Sequence, residues 1–127
     1  MKQEEILANA RLYSQQKQVL ERELEKLMVS LMELNSSILT IKGVEDGEGL
    51  VPIGGGAFVK AKLEGKNVII PIGSGYSQEY DIKGASAEVS KRIELTEKAV
   101  KRMKSELGKV DAEMAKLESE FKKLQQG

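Results

Sequence analysis

The chain has 127 residues, room for one domain, of which 40% are hydrophobic, 31% charged and 4% aromatic. It is too apolar for a disordered chain and too poor in aromatic residues for a large globular core. Lysine plus arginine number 20 against 20 for aspartate plus glutamate, and neither cysteine nor histidine occurs. The balance gives no electrostatic case for nucleic acid or an anionic membrane, and the missing residues exclude disulfides, Cys- or His-based metal sites and imidazole catalysis.

The opening MKQEEILANARLYSQQ lacks the unbroken apolar stretch of a signal peptide. No window approaches the run of about 20 apolar residues that spans a bilayer. A soluble, cytoplasmic chain is expected, and the absence of Cys fits a reducing compartment.

From the start to about Lys42, steps of four and three connect Ile6, Ala10, Tyr13, Lys17, Leu20, Leu24, Leu27, Leu31, Leu34, Ile38 and Ile41, with only Lys17 charged. The stretch holds no Gly and no Pro. A sustained heptad of this kind predicts a coiled-coil helix of roughly 40 residues, about 60 Å long. Lys17 at a core position reads as a polar residue that fixes the register, its stem snorkelling past the seam. Met28 and Met32 fall just outside the seam, where packing and an adaptable binding surface are both open readings.

Between the helices the period changes to two. Residues 50–53, 58–64, 67–72 and 76–82 read as four short strands, rich in β-branched residues and separated by glycine turns. Gly54-Gly55-Gly56 and Gly73-Ser74-Gly75 serve as turns or bulges. Pro52 and Pro71 recur in VPIG and IPIG, each expected at an edge or beside a bulge because proline removes a ladder donor. Four strands make two hairpins. Val68, Ile69, Ile70 and Ile72 put apolar groups on both faces of one strand, and such hairpins in water are an aggregation hazard unless another surface covers them. Oligomerisation through this region is the expectation.

From about Gly84 the heptad returns through Val89, Ile93, Thr96, Val100, Met103, Leu107, Val110, Met114, Leu117, Phe121 and Leu124. Setting a against d, Leu24 with Met103, Leu34 with Ile93, Tyr13 with Met114 and Ile6 with Phe121 all have residue numbers that sum to 127. One antiparallel register within the chain thus satisfies these layers. Parallel dimers of each helix are the rival, and would need the middle segment to bridge a full helix length.

No catalytic, cofactor or metal residue emerges. The glycine runs lead into further strands rather than a helix, and no GxxxxGK[ST] occurs, so no nucleotide site is expected. Glu4 with Glu5, Glu21 with Glu25 and Glu118 with Glu120 lie on heptad flanks among Lys and Arg, as solvated faces do. A helical arm that grips RNA would need a basic stripe, which the charge balance denies.

Helix, two hairpins, helix resembles the architecture of prefoldin subunits of the archaeal alpha type. Leu50-Val51-Pro52-Ile53-Gly54 through Phe58-Val59-Lys60-Ala61, then Val68-Ile69-Ile70-Pro71-Ile72-Gly73-Ser74-Gly75, carry the resemblance. Gly84-Ala85-Ser86-Ala87 is a poorer helix start than the acidic stretch that pattern leads one to expect, so a frayed first turn is anticipated. The resemblance implies an α+β fold: a long antiparallel two-helix coiled coil joined by two β-hairpins that form an oligomeric β-barrel. It forms one domain over 1–127, with helix one over 1–42, the hairpins over 43–84 and helix two over 85–127.

The resemblance further implies a hexamer of two alpha and four beta-type subunits that holds unfolded proteins without ATP and passes them to a group II chaperonin. Barrel positions would be Leu50, Val51, Ile53, Phe58, Val59, Val68, Ile69, Ile70 and Ile72. Client-contacting tips would carry Ile6, Leu7, Ala10, Leu117, Phe121 and Leu124, seam residues that open when the last turns part. A coiled-coil filament or scaffold subunit built on the same barrel is the alternative.

Overall fold

The computed structural model describes residues 2–126. Helix α1 (Gln3–Lys42) is followed by strands β1 (Gly47–Gly54), β2 (Ala57–Leu63), β3 (Asn67–Gly73) and β4 (Tyr76–Asp81), then by helix α2 (Ile82–Gln126). Met1 and Gly127, the outer limits of the two expected helices, lie outside the described residues. The chain forms two compact units, one of Met1–Leu31 with Leu95–Gly127 and the other of Met32–Glu94.

Both helices follow the heptad. Every expected seam position from Ile6 to Ile41 and from Val89 to Phe121 is buried or half-buried, and only Leu124 is exposed. In the first unit Ile6, Val100, Val110 and Leu117 are buried. Lys17 Nζ lies 2.7 Å from Asp111 Oδ1, and Asp111 adjoins Val110, the residue opposite Lys17 in the antiparallel register. The Lys17–Asp111 ion pair therefore joins the two helices at the place the antiparallel register predicts. Met28 and Met32, left open above, are both exposed. The flanking carboxylates meet neighbouring lysines, as Glu21 meets Lys17 at 4.0 Å and Glu118 meets Lys122 at 3.4 Å. Such exposed pairs contribute little to stability.

Helix ends follow local chemistry. α1 begins with Glu4 and Glu5 against the positive end of its dipole and finishes with Lys42 against the negative end. Its last turn tightens: the amides of Gly43 and Val44 donate to the Thr40 and Ile41 carbonyls at 3.0 and 3.2 Å, a three-residue step. α2 begins three residues before the expected start at 85, and its first turn is not the frayed one anticipated. Asp81 is its N-cap, the carboxylate accepting from the Gly84 amide at 2.6 Å. A Cβ on Gly84 would lie 2.8 Å from that carboxylate oxygen, so glycine lets the cap close. Ala85 follows, fully buried.

The hairpins are separate two-stranded antiparallel sheets, β1 with β2 and β3 with β4. Each shifts register beside its proline, between Pro52 and Gly54 and between Pro71 and Gly73, so both prolines sit next to a bulge. The φ values of Gly54, Gly55 and Gly56 (102°, 58°, 79°) are repeated at Gly73, Ser74 and Gly75 (107°, 53°, 80°). Positive φ at both central residues is what a two-residue type I′ turn requires, and it explains why VPIG and IPIG echo each other.

The hairpins differ in what covers them. In hairpin two, Val68 and Ile70 share a face with Tyr80, and this face packs on the helices in a cluster with Ile41, Ala85 and Val89. Ile70 is 6% exposed. Ile70, expected at the oligomerisation surface, lies within the chain's own core, and Val68 is half-buried against the same cluster. The chain's own helices cover one of the two apolar faces of β3. Arg92 adds a polar tie, donating to the Pro71 carbonyl at 2.8 Å while its Nε meets Glu88 at 3.0 Å. Hairpin one contributes nothing to this cluster.

Candidate interaction surfaces

Within the first unit α1 and α2 enclose a groove of about 420 Å³ whose lining includes Ile6, Leu7, Ala10, Leu117 and Phe121. Leu124 lines a neighbouring depression with Ile6. Five of the six expected tip residues therefore line one groove. They are not equivalent: Ile6 and Leu117 are almost closed to solvent in the seam, whereas Leu7 and Leu124 are 46% and 47% exposed. The helices run unbroken from Gln3 and to Gln126, and the apolar surface is presented by the groove and by exposed side chains beside it. Met114 and Ala115 join the lining, as do Lys17, Asp111 and Glu118 at its polar side. Met114 was legible only as seam packing. Asp111 raises the pKa of Lys17 above its ordinary 10.5, first through the hydrogen bond and then through its charge.

In the second unit hairpin one leaves Leu50, Val51, Ile53, Phe58 and Val59 exposed. Pairing sorts them. Val51 lies opposite Val59, Gly49 opposite Ala61 and Gly47 opposite Leu63, which makes one face entirely apolar. The other face pairs Glu48 with Lys62, Leu50 with Lys60 and Pro52 with Phe58. The nine expected barrel residues therefore do not share a face, and Ala61 and Leu63, absent from that set, belong to the all-apolar one. Ile69 and Ile72 of hairpin two are exposed, with Ile69 paired to Glu79 on the face away from the cluster.

Among the described residues no group of three or more acidic side chains could hold a metal ion. Among the same residues no helix is long and apolar enough to cross a membrane. What each unit offers is apolar surface.

The sequence model of the prefoldin family, described as "Prefoldin subunit", matches residues 13–127. The chain belongs to the prefoldin family. The prefoldin subunit alpha of Methanococcus aeolicus is 43% identical over 90 residues, covering 69% of this chain and 62% of that protein. The prefoldin subunit alpha 1 of Thermococcus kodakarensis is 34% identical over 97 residues, covering 72% and 66%. The chain thus matches a little under two thirds of the length of these relatives. With its two hairpins it is a prefoldin alpha subunit of the archaeal type. A chain of the filamentous PFD of Methanocaldococcus jannaschii, solved by cryo-EM, superposes with a TM-score of 0.74 at 24% identity and covers 89% of this chain and 98% of its own. The prefoldin family is a chaperone family and not an enzyme family.

Proposed function

We propose that this prefoldin alpha subunit acts in an ATP-independent holdase. It assembles with beta-type subunits, two alpha to four beta, captures unfolded proteins at its grooves and passes them to a group II chaperonin in the cytoplasm. The observation that carries this reading is the groove of the first unit, where Leu7 and Phe121 offer apolar surface to a chain that lacks a folded core. Several such grooves held in one complex bind weakly apolar clients through effective concentration, without sequence-specific contacts. The all-apolar face of hairpin one, with Val51, Val59, Ala61 and Leu63, supplies the interior of an intersubunit barrel, while Glu48, Lys60 and Lys62 remain on the solvent side. The even charge balance supports neither nucleic acid nor membrane as a partner.

A second reading, a scaffold subunit built on the same hairpins, has the filamentous neighbour as its weaker support. The two separate on deletion of the first dozen and final dozen residues, followed by reconstitution with a beta-type subunit and light scattering on a denatured model protein. A holdase loses most of its suppression of aggregation while the mass per assembled subunit stays that of the shortened chains. A truncated complex that still suppresses aggregation at the intact ratio contradicts groove capture. Mixing the full chain with micromolar ATP in a calorimeter should give no heat of binding.

A further inference from the structure

Hairpin one has no apolar anchor. Apart from half-buried Gly49 and Ala61, its strands are exposed along their length, and none of its residues enters the cluster that fixes hairpin two. Its base, by contrast, is closed tightly. The Gly65 amide, in the linker after β2, donates to Asp46 Oδ1 at 2.6 Å in the linker before β1. A Cβ on Gly65 would lie 2.5 Å from both Cα and carbonyl C of Glu45 and 2.8 Å from its N. Those are backbone atoms, which cannot swing aside. The turn glycines of the two hairpins are explained by positive φ, whereas Gly65 is explained by this approach of two main chains.

We propose that the Asp46–Gly65 clasp is the device that aims hairpin one at its partner, a hairpin of a beta-type prefoldin subunit. This rests on the reading of hairpin one as an assembly surface. Held together at the base, the two linkers of this two-stranded ribbon move only as one piece, so the apolar face has fewer directions open to it than if each linker bent independently. Without the clasp the ribbon still forms, because its turn and ladder are local. It then samples many directions, and association has to restrict them again at an entropic cost. Asp46 and Gly65 are positioning residues: they act on the partner through the face of Val51 and Val59.

The test uses the full chain and a beta-type prefoldin subunit, with association measured by sedimentation and hairpin mobility by amide hydrogen exchange. Asp46→Ala should weaken association by about tenfold or more, the scale of one charged hydrogen bond, and speed exchange at the two linkers while β3, β4 and the helices exchange as before. Asp46→Asn keeps an oxygen at the accepting position and should assemble nearly as the parent does. Gly65→Ala should behave like Asp46→Ala or worse. Val59→Asp, which leaves the clasp alone, tests the assembly surface itself. If Val59→Asp abolishes assembly but Asp46→Ala matches the parent, the clasp inference is overturned alone. If Asp46→Asn is as poor as Asp46→Ala, the hydrogen bond is not the device, and if Val59→Asp assembles normally the underlying reading falls as well.

Discussion

Replacing Ile70 separates the chain's own core from its assembly surface. Ile70 is 6% exposed and packs with Ile41, Ala85 and Val89, whereas its neighbour Ile69 is 69% exposed on the opposite face of β3. Ile70→Ala removes three carbons, about 0.8 kcal/mol each and roughly 2.4 kcal/mol in all by transfer from water. The cavity left among rigid neighbours brings the loss to about 3 kcal/mol or more. For a chain of this size that lowers the melting temperature by roughly 10 °C. Ile69→Ala should stay within about 0.5 kcal/mol of the parent in the free subunit. The assay is thermal unfolding of each free variant by circular dichroism at one fixed protein concentration, because association also shifts a melt. Equal melting of the Ile70 and Ile69 variants would refute the placement of Ile70 in the intrachain core.

Three further outcomes follow from local geometry. Asp81→Ala removes the N-cap of α2 and should cost about 1 kcal/mol, with faster amide exchange confined to the first turn of that helix; unchanged exchange at Gly84 would show the cap to be idle. The raised pKa of Lys17 means that its link to Asp111 is complete below the ordinary value of 10.5 and is lost as the pH rises through the raised one. NMR titration of Asp111→Asn should therefore find the Lys17 ammonium titrating lower than in the parent, and an identical titration would sink that assignment. Leu24→Cys with Met103→Cys should give an intramolecular crosslink on oxidation, and preferential formation of crosslinked dimers would contradict the antiparallel register.

The helices were legible because one period runs through each and one sum joins them. Leu24 with Met103 and Leu34 with Ile93 need the same alignment, and the Lys17–Asp111 contact lies at the place that alignment predicts. The turns were legible too, since VPIG and IPIG precede glycines that adopt the same positive φ values. The intrachain burial of Ile70 was not legible because β3 is apolar on both faces, and period two says that faces differ without saying what lies against each. The start of α2 was misplaced for a different reason. Gly84 reads as a weak helix residue by propensity, but its lack of a side chain admits the Asp81 carboxylate three residues back, a local cap that helix propensity does not express. The terminal groove was legible as seam residues with Leu7 beside them, but not the exposure of Leu124, a seam position that stays open while Ile6 and Leu117 close the seam.

That division provides the most direct test of the central claim, client capture by the groove. Leu7→Ser with Leu124→Ser removes exposed apolar surface while sparing Ile6, Val110 and Leu117, so the coiled coil and the assembled mass should be unchanged. Each side chain is worth about 1.5–3 kcal/mol when fully buried against a client, and less here because both are already half-covered. The measurement is the suppression of aggregation of a denatured model protein by the reconstituted complex, read by light scattering. The account predicts that several-fold more of the variant complex is needed for equal protection. Equal protection at the parent's ratio, from a complex of the parent's mass, would contradict it.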